Sequence, residues 1–174
     1  MTTTLSLFTA DDIARELPEL ARLLHDCVHA GASIGFIMPH TMADAEAFWR
    51  DKVAGPVANA TRLLLVAKDG DRIAGAVQLD HDTPANQPHR AEIRKLLVHP
   101  DFRRRGIATT LMAAIEEEAR RLARSLLTLD TRTGDNAEPL YAALGYRTSG
   151  VIPGYCRDTH KDRLDSTTIM YKNL

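Results

Sequence analysis

Cysteine is scarce in this sequence: 174 residues hold two, Cys27 and Cys156, far apart and in no metal-type cluster. Two isolated cysteines make no disulfide framework, so a reducing, cytoplasmic setting is expected, with both thiols buried as small apolar side chains. Long apolar runs are missing as well. None approaches the roughly 18 residues of a membrane-spanning helix, and Met1-Thr2-Thr3-Thr4-Leu5 has neither the basic nor the apolar region of a secretory leader. There is no excess of either charge, with 22 basic and 23 acidic residues and a net charge of −1. A nucleic-acid platform draws its affinity from a basic excess, so neither a nucleic-acid nor a membrane partner is expected. Among the seven histidines, His25 and His29 stand one helical turn apart, but no third ligand and no zinc-protease motif accompanies them, and no metal site is expected. Repeats and low-complexity tracts are also lacking. What remains, 44% hydrophobic and 26% charged residues, is ordinary globular usage, and the length suits one domain spanning 1–174.

Apolar spacing along the chain alternates between strand and helix periods. A short strand at Leu5–Phe8 precedes a turn at Asp11–Glu16, and a helix starting near Pro18 carries Leu20, Leu23, Leu24, Cys27 and Val28 inward. The segment Gly31–Pro39 is small and apolar; it serves either as packing or as one wall of a pocket. Thr41 caps a second helix, with Gly55-Pro56 as its stop signal. The runs Leu63–Ala67 and Ile73–Leu79 flank Asp69-Gly70, a hairpin signal. A third run, Ala91–Val98, leads to a helix over Ala108–Arg124 with Leu122 and Ala123 on its inner face. Glu116 with Arg120, and Glu117 with Arg121, are expected as ion pairs on its wet face. A strand at Leu126–Leu129, a short helix at Asn136–Leu144, and strands at Tyr146–Ile152 and Thr167–Lys172 around a loop Pro153–Ser166 complete an α/β domain with a mixed sheet.

Between the third run and its helix lies Arg103-Arg104-Arg105-Gly106-Ile107-Ala108. A helix N-terminus presents unpartnered N–H groups and a positive dipole end, and glycine beside small residues lets an anion approach the backbone. The motif is neither a P-loop nor a dinucleotide fingerprint. The three arginines suit a polyanion through charge-assisted bonds.

The block Leu-Leu-Val-His-Pro-Asp-Phe-Arg-Arg-Arg-Gly-Ile-Ala, followed by a strand ending at Asp130 and by Leu-Tyr-Ala-Ala-Leu-Gly-Tyr, resembles the GNAT family of N-acetyltransferases over Ala91–Tyr146. The resemblance implies a single GNAT-like domain: a mixed, largely antiparallel sheet with splayed central strands and helices on both faces. It implies acetyl-CoA as co-substrate, with the pantetheine arm against Leu96, Leu97 and Val98. The pyrophosphate would rest against Arg103, Arg104, Arg105, Gly106, Ile107, Ala108 and Thr109. Further blocks, His-Ala-Gly-Ala-Ser-Ile-Gly-Phe (29–36), Arg-Ala-Glu-Ile-Arg-Lys-Leu-Leu-Val (90–98), Leu-Asp-Thr (129–131) and Pro-Gly-Tyr-Cys (153–156), look like a toxin-resistance branch of that family. They point to Ser33, Phe36, Glu92, Asp130 and Tyr155 as acceptor-binding residues.

N-acetylation needs a neutral amine, whereas a free alkyl amine has a pKa of about 10, so a base or a desolvating pocket must assist. Glu92 stands six residues before Val98, a spacing at which some family members carry a catalytic glutamate, and strand periodicity puts the two on one face. Asp130 ends the partner strand. Glu92 and Asp130 are the expected catalytic carboxylates, unless Glu92 merely pairs with Arg94 or Arg90. A backbone N–H near Leu97 is the expected oxyanion donor, and Tyr141 the acid for the leaving thiolate. Many family members have asparagine where this sequence has Gly134; Asn136 is displaced by two, so that cofactor contact does not transfer. The expected function is direct transfer of acetyl from acetyl-CoA to a small-molecule amine, such as an amino-acid-like toxin or antimetabolite. A protein N-terminal or lysine acetyltransferase and a non-catalytic acyl-CoA sensor stand as alternatives. Monomer and homodimer are left undecided.

Overall fold

Seven strands, Thr4–Leu7 (β1), Arg62–Asp69 (β2), Arg72–Asp80 (β3), Arg90–Val98 (β4), Leu126–Arg132 (β5), Arg147–Arg157 (β6) and Leu164–Asn173 (β7), form one sheet in the computed structural model, which describes residues 3–174. The reading of the first five residues as leaderless lies partly on Met1 and Thr2, outside the described residues. The strand order is β1-β2-β3-β4-β5-β7-β6, and every neighbouring pair is antiparallel except β4–β5. Helices Ala10–Arg15 (α1), Leu17–His29 (α2), Met42–Phe48 (α3) and Ala54–Ala58 (α4) precede β2; Ile107–Arg121 (α5) and Ala137–Ala143 (α6) flank β5.

Alternation along β2 shows why the sheet is covered on both faces. Leu64 and Val66 join α2 and α3 in one apolar cluster, while Leu65 and Ala67 join α5 in the other. Thr9 and Thr41 cap α1 and α3, each in a reciprocal pairing with the aspartate three residues on. Pro18 sits in the first turn of α2, where no hydrogen bond is lost. Trp49 is fully buried, and its Nε1 donates to Leu20 O at 2.7 Å, tying the end of α3 to α2.

Several expectations need correction. Gly55-Pro56 does not stop the second helix: the chain passes through a π turn at Trp49–Val53 and runs on into α4, with Pro56 in its first turn. Helix α5 ends at Arg121; Leu122 is its C-cap, 37% exposed, and Ala123 adopts φ 55°. The wet face of α5 uses Arg120–Glu117 and Arg121–Glu118 pairs. Glu116 instead is buried and pairs with Lys172 of β7 at 2.6 Å. The expected loop Pro153–Ser166 shrinks to a turn, because β6 continues to Arg157 and β7 begins at Leu164. Asp158 closes that turn, its Oδ1 accepting from the N–H groups of His160 (2.8 Å) and Lys161 (2.9 Å). Strand β6 is exposed along nearly its whole length, which leaves no buried face for the sequence to betray.

Strand β4 carries the feature that shapes the site. Its register against β3 slips between Leu97, opposite Ala76, and Arg94, opposite Gln78, so that three steps on β4 answer two on β3. Lys95, within this bulge, has φ 51°. An extra residue reverses which face each side chain takes. Ala91, Ile93, Leu96 and Val98 pack on the α5 side, whereas Leu97 packs on the α2 side. Glu92 therefore faces opposite to Val98, against the expectation from simple alternation. Gly75 of β3 makes this crowding possible: a Cβ there would lie 2.7 Å from Leu97 O and 3.2 Å from Ile107 Cγ2.

Candidate active site

Strands β4 and β5 pair only through Glu92, the rungs being Arg90–Leu126, Ala91–Leu127 and Glu92–Thr128. Beyond that rung they splay, and a cleft of about 840 Å³ runs from the gap to the start of α5. Leu96, Leu97, Val98, Arg103, Arg104, Gly106, Ile107, Ala108 and Thr109 all line it. Arg105 does not: its guanidinium stacks 5.0 Å from the Phe102 ring, donates to Asp101 O at 2.9 Å and lies 3.7 Å from Asp69. Asn136, which the family pattern left unassigned, lines the cleft after all.

At the head of α5, Arg104 and Gly106 both take left-handed conformations, φ 65° and 78°. Successive residues in such turns aim their N–H groups into a shared concavity. Arg103 N–H reaches Pro100 O at 3.3 Å and Thr110 N–H reaches Gly106 O at 3.0 Å; among the described residues the N–H groups between them, Arg104 to Thr109, have no acceptor. No atom lies within 4 Å of where a Cβ on Gly106 would stand.

A second cavity, of about 270 Å³, adjoins the first, and Ala32, Leu96, Arg132, Asp135 and Ala137 line both. It brings together Ser33, Glu92, Asp130, Tyr141 and Tyr155. Glu92 and Asp130 meet because both side chains leave the sheet opposite to Ile93 and Leu129, which pack under α5. Thr167 Oγ1 lies 3.4 Å from Asp130 Oδ2. Glu92 is 3.7 Å from Arg94 Nε, while Arg94 gives its closer contact, 3.0 Å, to Asp80. Burial pushes the Tyr141 phenol well above its usual range, and Asp130 and Asp135 add to the shift, so Tyr141 stays protonated through neutral pH.

Phe36 does not line this cavity; its ring packs edge-on against Phe48, 5.2 Å between centroids, and beside His40. Sequence reasoning missed Lys95, Arg132 and Cys156, all of which line it. Lys95 had a signal: apolar alternation runs through Ala91 and Ile93, then restarts at Leu96, and such a break marks a bulge. Cys156 is only partly buried, contrary to the expectation for both thiols, with its Sγ 3.8 Å from Ser33 Oγ. Cys27 lines the larger cleft but is buried, and desolvation raises its pKa to about 11. His25 and His29 stack at 4.0 Å between centroids, and among the described residues no cluster of three or more His, Cys, Asp or Glu side chains is placed to hold a metal ion.

Comparison with known proteins converges on one family. The model of the acetyltransferase (GNAT) family matches residues 18–146. An uncharacterized N-acetyltransferase of the hisH-hisA intergenic region of Azospirillum brasilense is 32% identical over 126 residues, 71% of this chain and 73% of that relative. The ribosomal-protein-alanine N-acetyltransferase structure from Brucella melitensis superimposes with a TM-score of 0.78 at 22% identity, over 98% of this chain and 99% of that one. An acetyltransferase structure from Salmonella typhimurium, with its cofactor acetyl-CoA, gives 0.77 at 16% identity, over 100% and 95%.

The chain belongs to the GNAT family of acetyltransferases, and it is an acetyl-CoA-dependent N-acetyltransferase. The unpartnered N–H groups, the open position beside Gly106, the flanking arginines and the unpaired edge of β4 fit acetyl-CoA as co-substrate. Among the described residues no helix is long and apolar enough to cross a membrane.

Proposed function

We propose that this enzyme acetylates the amine of a small molecule, held in the cavity of Glu92, Asp130 and Tyr141. The observation that carries the reading is the junction of the two cavities at Leu96. One side holds unpartnered N–H groups and arginines suited to CoA; the other holds two carboxylates suited to an ammonium ion. Acetyl-CoA supplies a thioester carbonyl open to attack by a neutral amine.

In this reading the N–H groups of Arg104 to Thr109, with Arg103 and Arg104, bind the pyrophosphate, and the unpaired edge of β4 over Leu96–Val98 takes the pantetheine arm as an added strand would. Glu92 and Asp130 hold the cationic acceptor, and one of them takes its proton directly or through water. A backbone N–H near Leu97 stabilises negative charge on the carbonyl oxygen. Tyr141, kept protonated by burial, holds at its Oη the proton that the departing thiolate takes. Cys27, with its pKa raised to about 11, is a thiol at neutral pH and a poor nucleophile, which favours direct transfer in a ternary complex. Ser33 and Tyr155 shape the acceptor side.

The blocks 29–36, 90–98, 129–131 and 153–156 resemble the tabtoxin-resistance acetyltransferase of the family, and an amino-acid-like toxin is the acceptor class we favour. The likeness to the ribosomal-protein-alanine enzyme, at 22% identity, speaks to the fold alone. Thiol release from acetyl-CoA, measured over amines, amino acids and N-terminal peptides, tests the reading. Turnover of small amines, lost in Glu92→Gln or Asp130→Asn with acetyl-CoA binding retained, supports it. Turnover of peptides alone points to a protein acetyltransferase, and CoA binding with no thiol release to a sensor module; either result overturns it.

A further inference from the structure

Three cations line the acceptor cavity, and their partners differ. Arg94 is committed to Asp80 at 3.0 Å and Arg132 to Asp135 at 3.1 Å. Lys95 has no carboxylate within ion-pair distance among the described residues. Its Nζ donates to Ile34 O and stands 5.6 Å from the centroid of the Phe36 ring. Gly35 leaves room for that nitrogen, since a Cβ there would come within 3.3 Å of it. An ammonium group has three donors, and the interior contact uses one.

Holding this lysine there is unfavourable in two ways, one of the backbone and one of the charge. Its backbone sits in the left-handed region at φ 51° without being glycine. Desolvation, then the nearby Arg94, lowers its pKa. An unpaired, poorly solvated cation gains most when an anion arrives with the ligand. The same cavity presents Glu92 and Asp130, whose charges offset part of that shift without forming an ion pair with Lys95, so it holds two carboxylates as well as the cation.

We propose that Lys95 is a specificity residue that holds the carboxylate of the acceptor, so that the acceptor is an amino-acid-like zwitterion with its amine at Glu92 and Asp130 and its acid at Lys95. This rests on the small-molecule reading above. It adds the second charge of the acceptor and the side chain that recognises it. Phe36, outside the cavity, contributes only its ring beside the Lys95 ammonium.

The test compares the common L-amino acids with their carboxamides, which keep the amine and lose the acid. Thiol release gives kcat and KM for each pair with the wild-type protein, Lys95→Met and Lys95→Arg; calorimetric binding of the same pairs without acetyl-CoA gives a readout free of turnover. A charge-assisted contact in a shielded site discriminates by about tenfold to a hundredfold, so wild-type KM and Kd should favour the acid by that factor. Lys95→Met should bring the ratio near one, and Lys95→Arg should keep part of it. A Lys95 that only braces Ile34 would weaken acid and carboxamide alike and leave the ratio unchanged, which overturns the proposal. Wild-type turnover of carboxamides as good as that of acids also overturns it, while leaving the small-molecule reading standing. If neither series releases thiol while other small amines do, this proposal falls and the small-molecule reading stands; if no small amine releases thiol, both fall.

Discussion

Gly106 allows charge to be separated from shape at the proposed pyrophosphate seat. It is the N-cap of α5, at φ 78° and ψ 0°, with open space where a Cβ would stand. Any side chain there takes on the left-handed penalty of about 1 kcal/mol, or about 2–4 °C in Tm for a chain of this size. Gln and Glu are nearly equal in bulk and bear that penalty alike, so the difference between Gly106→Gln and Gly106→Glu isolates one negative charge. At about 4 Å from a phosphate oxygen, with an effective dielectric of about 20, like unit charges repel by about 4 kcal/mol, near a thousandfold in Kd. The cleft is open to solvent, and salt at about 0.1 M screens part of this; we expect Gly106→Glu to bind CoA about a hundredfold more weakly than Gly106→Gln. Calorimetric titration with CoA at two salt concentrations measures it, and the gap should narrow as salt rises. Kd values for the two variants within twofold of each other would refute the seat.

Tyr141→Phe should lower kcat by about a hundredfold or more, the usual range for loss of a general acid, with CoA affinity unchanged by calorimetry; its ring keeps the edge-on contact with Tyr146 at 5.9 Å. Hydrogen bonds from the His160 and Lys161 N–H groups, aided by Arg163 and Arg132, lower the Asp158 pKa from 3.8 to about 2. A carboxylate whose folded pKa is depressed stabilises the fold above its unfolded pKa and loses that contribution as pH falls toward the folded one. Thermal melts should therefore show a part of the acid destabilisation between pH 3.8 and about 2 that vanishes in Asp158→Asn. Glu116→Ala leaves Lys172 without its partner in a largely buried setting. It should cost about 3 kcal/mol, seen as a Tm lower by about 6–12 °C.

Legibility in the sequence followed burial. The two-sided sheet, the Asp69-Gly70 hairpin and α2 were readable because each buries a face whose period the apolar residues repeat. The β6–β7 hairpin is longer than its sequence pattern implies, since an exposed strand writes no alternation. Glu116 looked like surface because it stands in a run of three glutamates; its partner Lys172 lies 56 residues away on β7, beyond any local pattern. Most candidate site residues of the motif do line one cleft, but Arg105 is held by its near neighbours Phe102 and Asp101 and by the distant Asp69, and Phe36, in the 29–36 block, packs on Phe48.

Glu92 reaches its site by a geometry opposite to the one its sequence spacing implies. Strand alternation put it on the face of Val98, and the bulge at Lys95 puts it on the opposite one. It nevertheless shares a cavity with Asp130, since both lie at the point where β4 and β5 part, two residues apart in register, on the side away from α5. The bulge is thus what divides the strand's labour. Before it, Glu92 turns toward the loop of Ser33 and the acceptor side. Within it, Lys95 lines that same cavity, with its ammonium donating to Ile34 O. After it, Leu96 to Val98 line the cleft proposed for CoA. A strand with unbroken alternation would carry Leu96 and Val98 out on the same face as Glu92, so a single extra residue is what lets one strand serve both cavities.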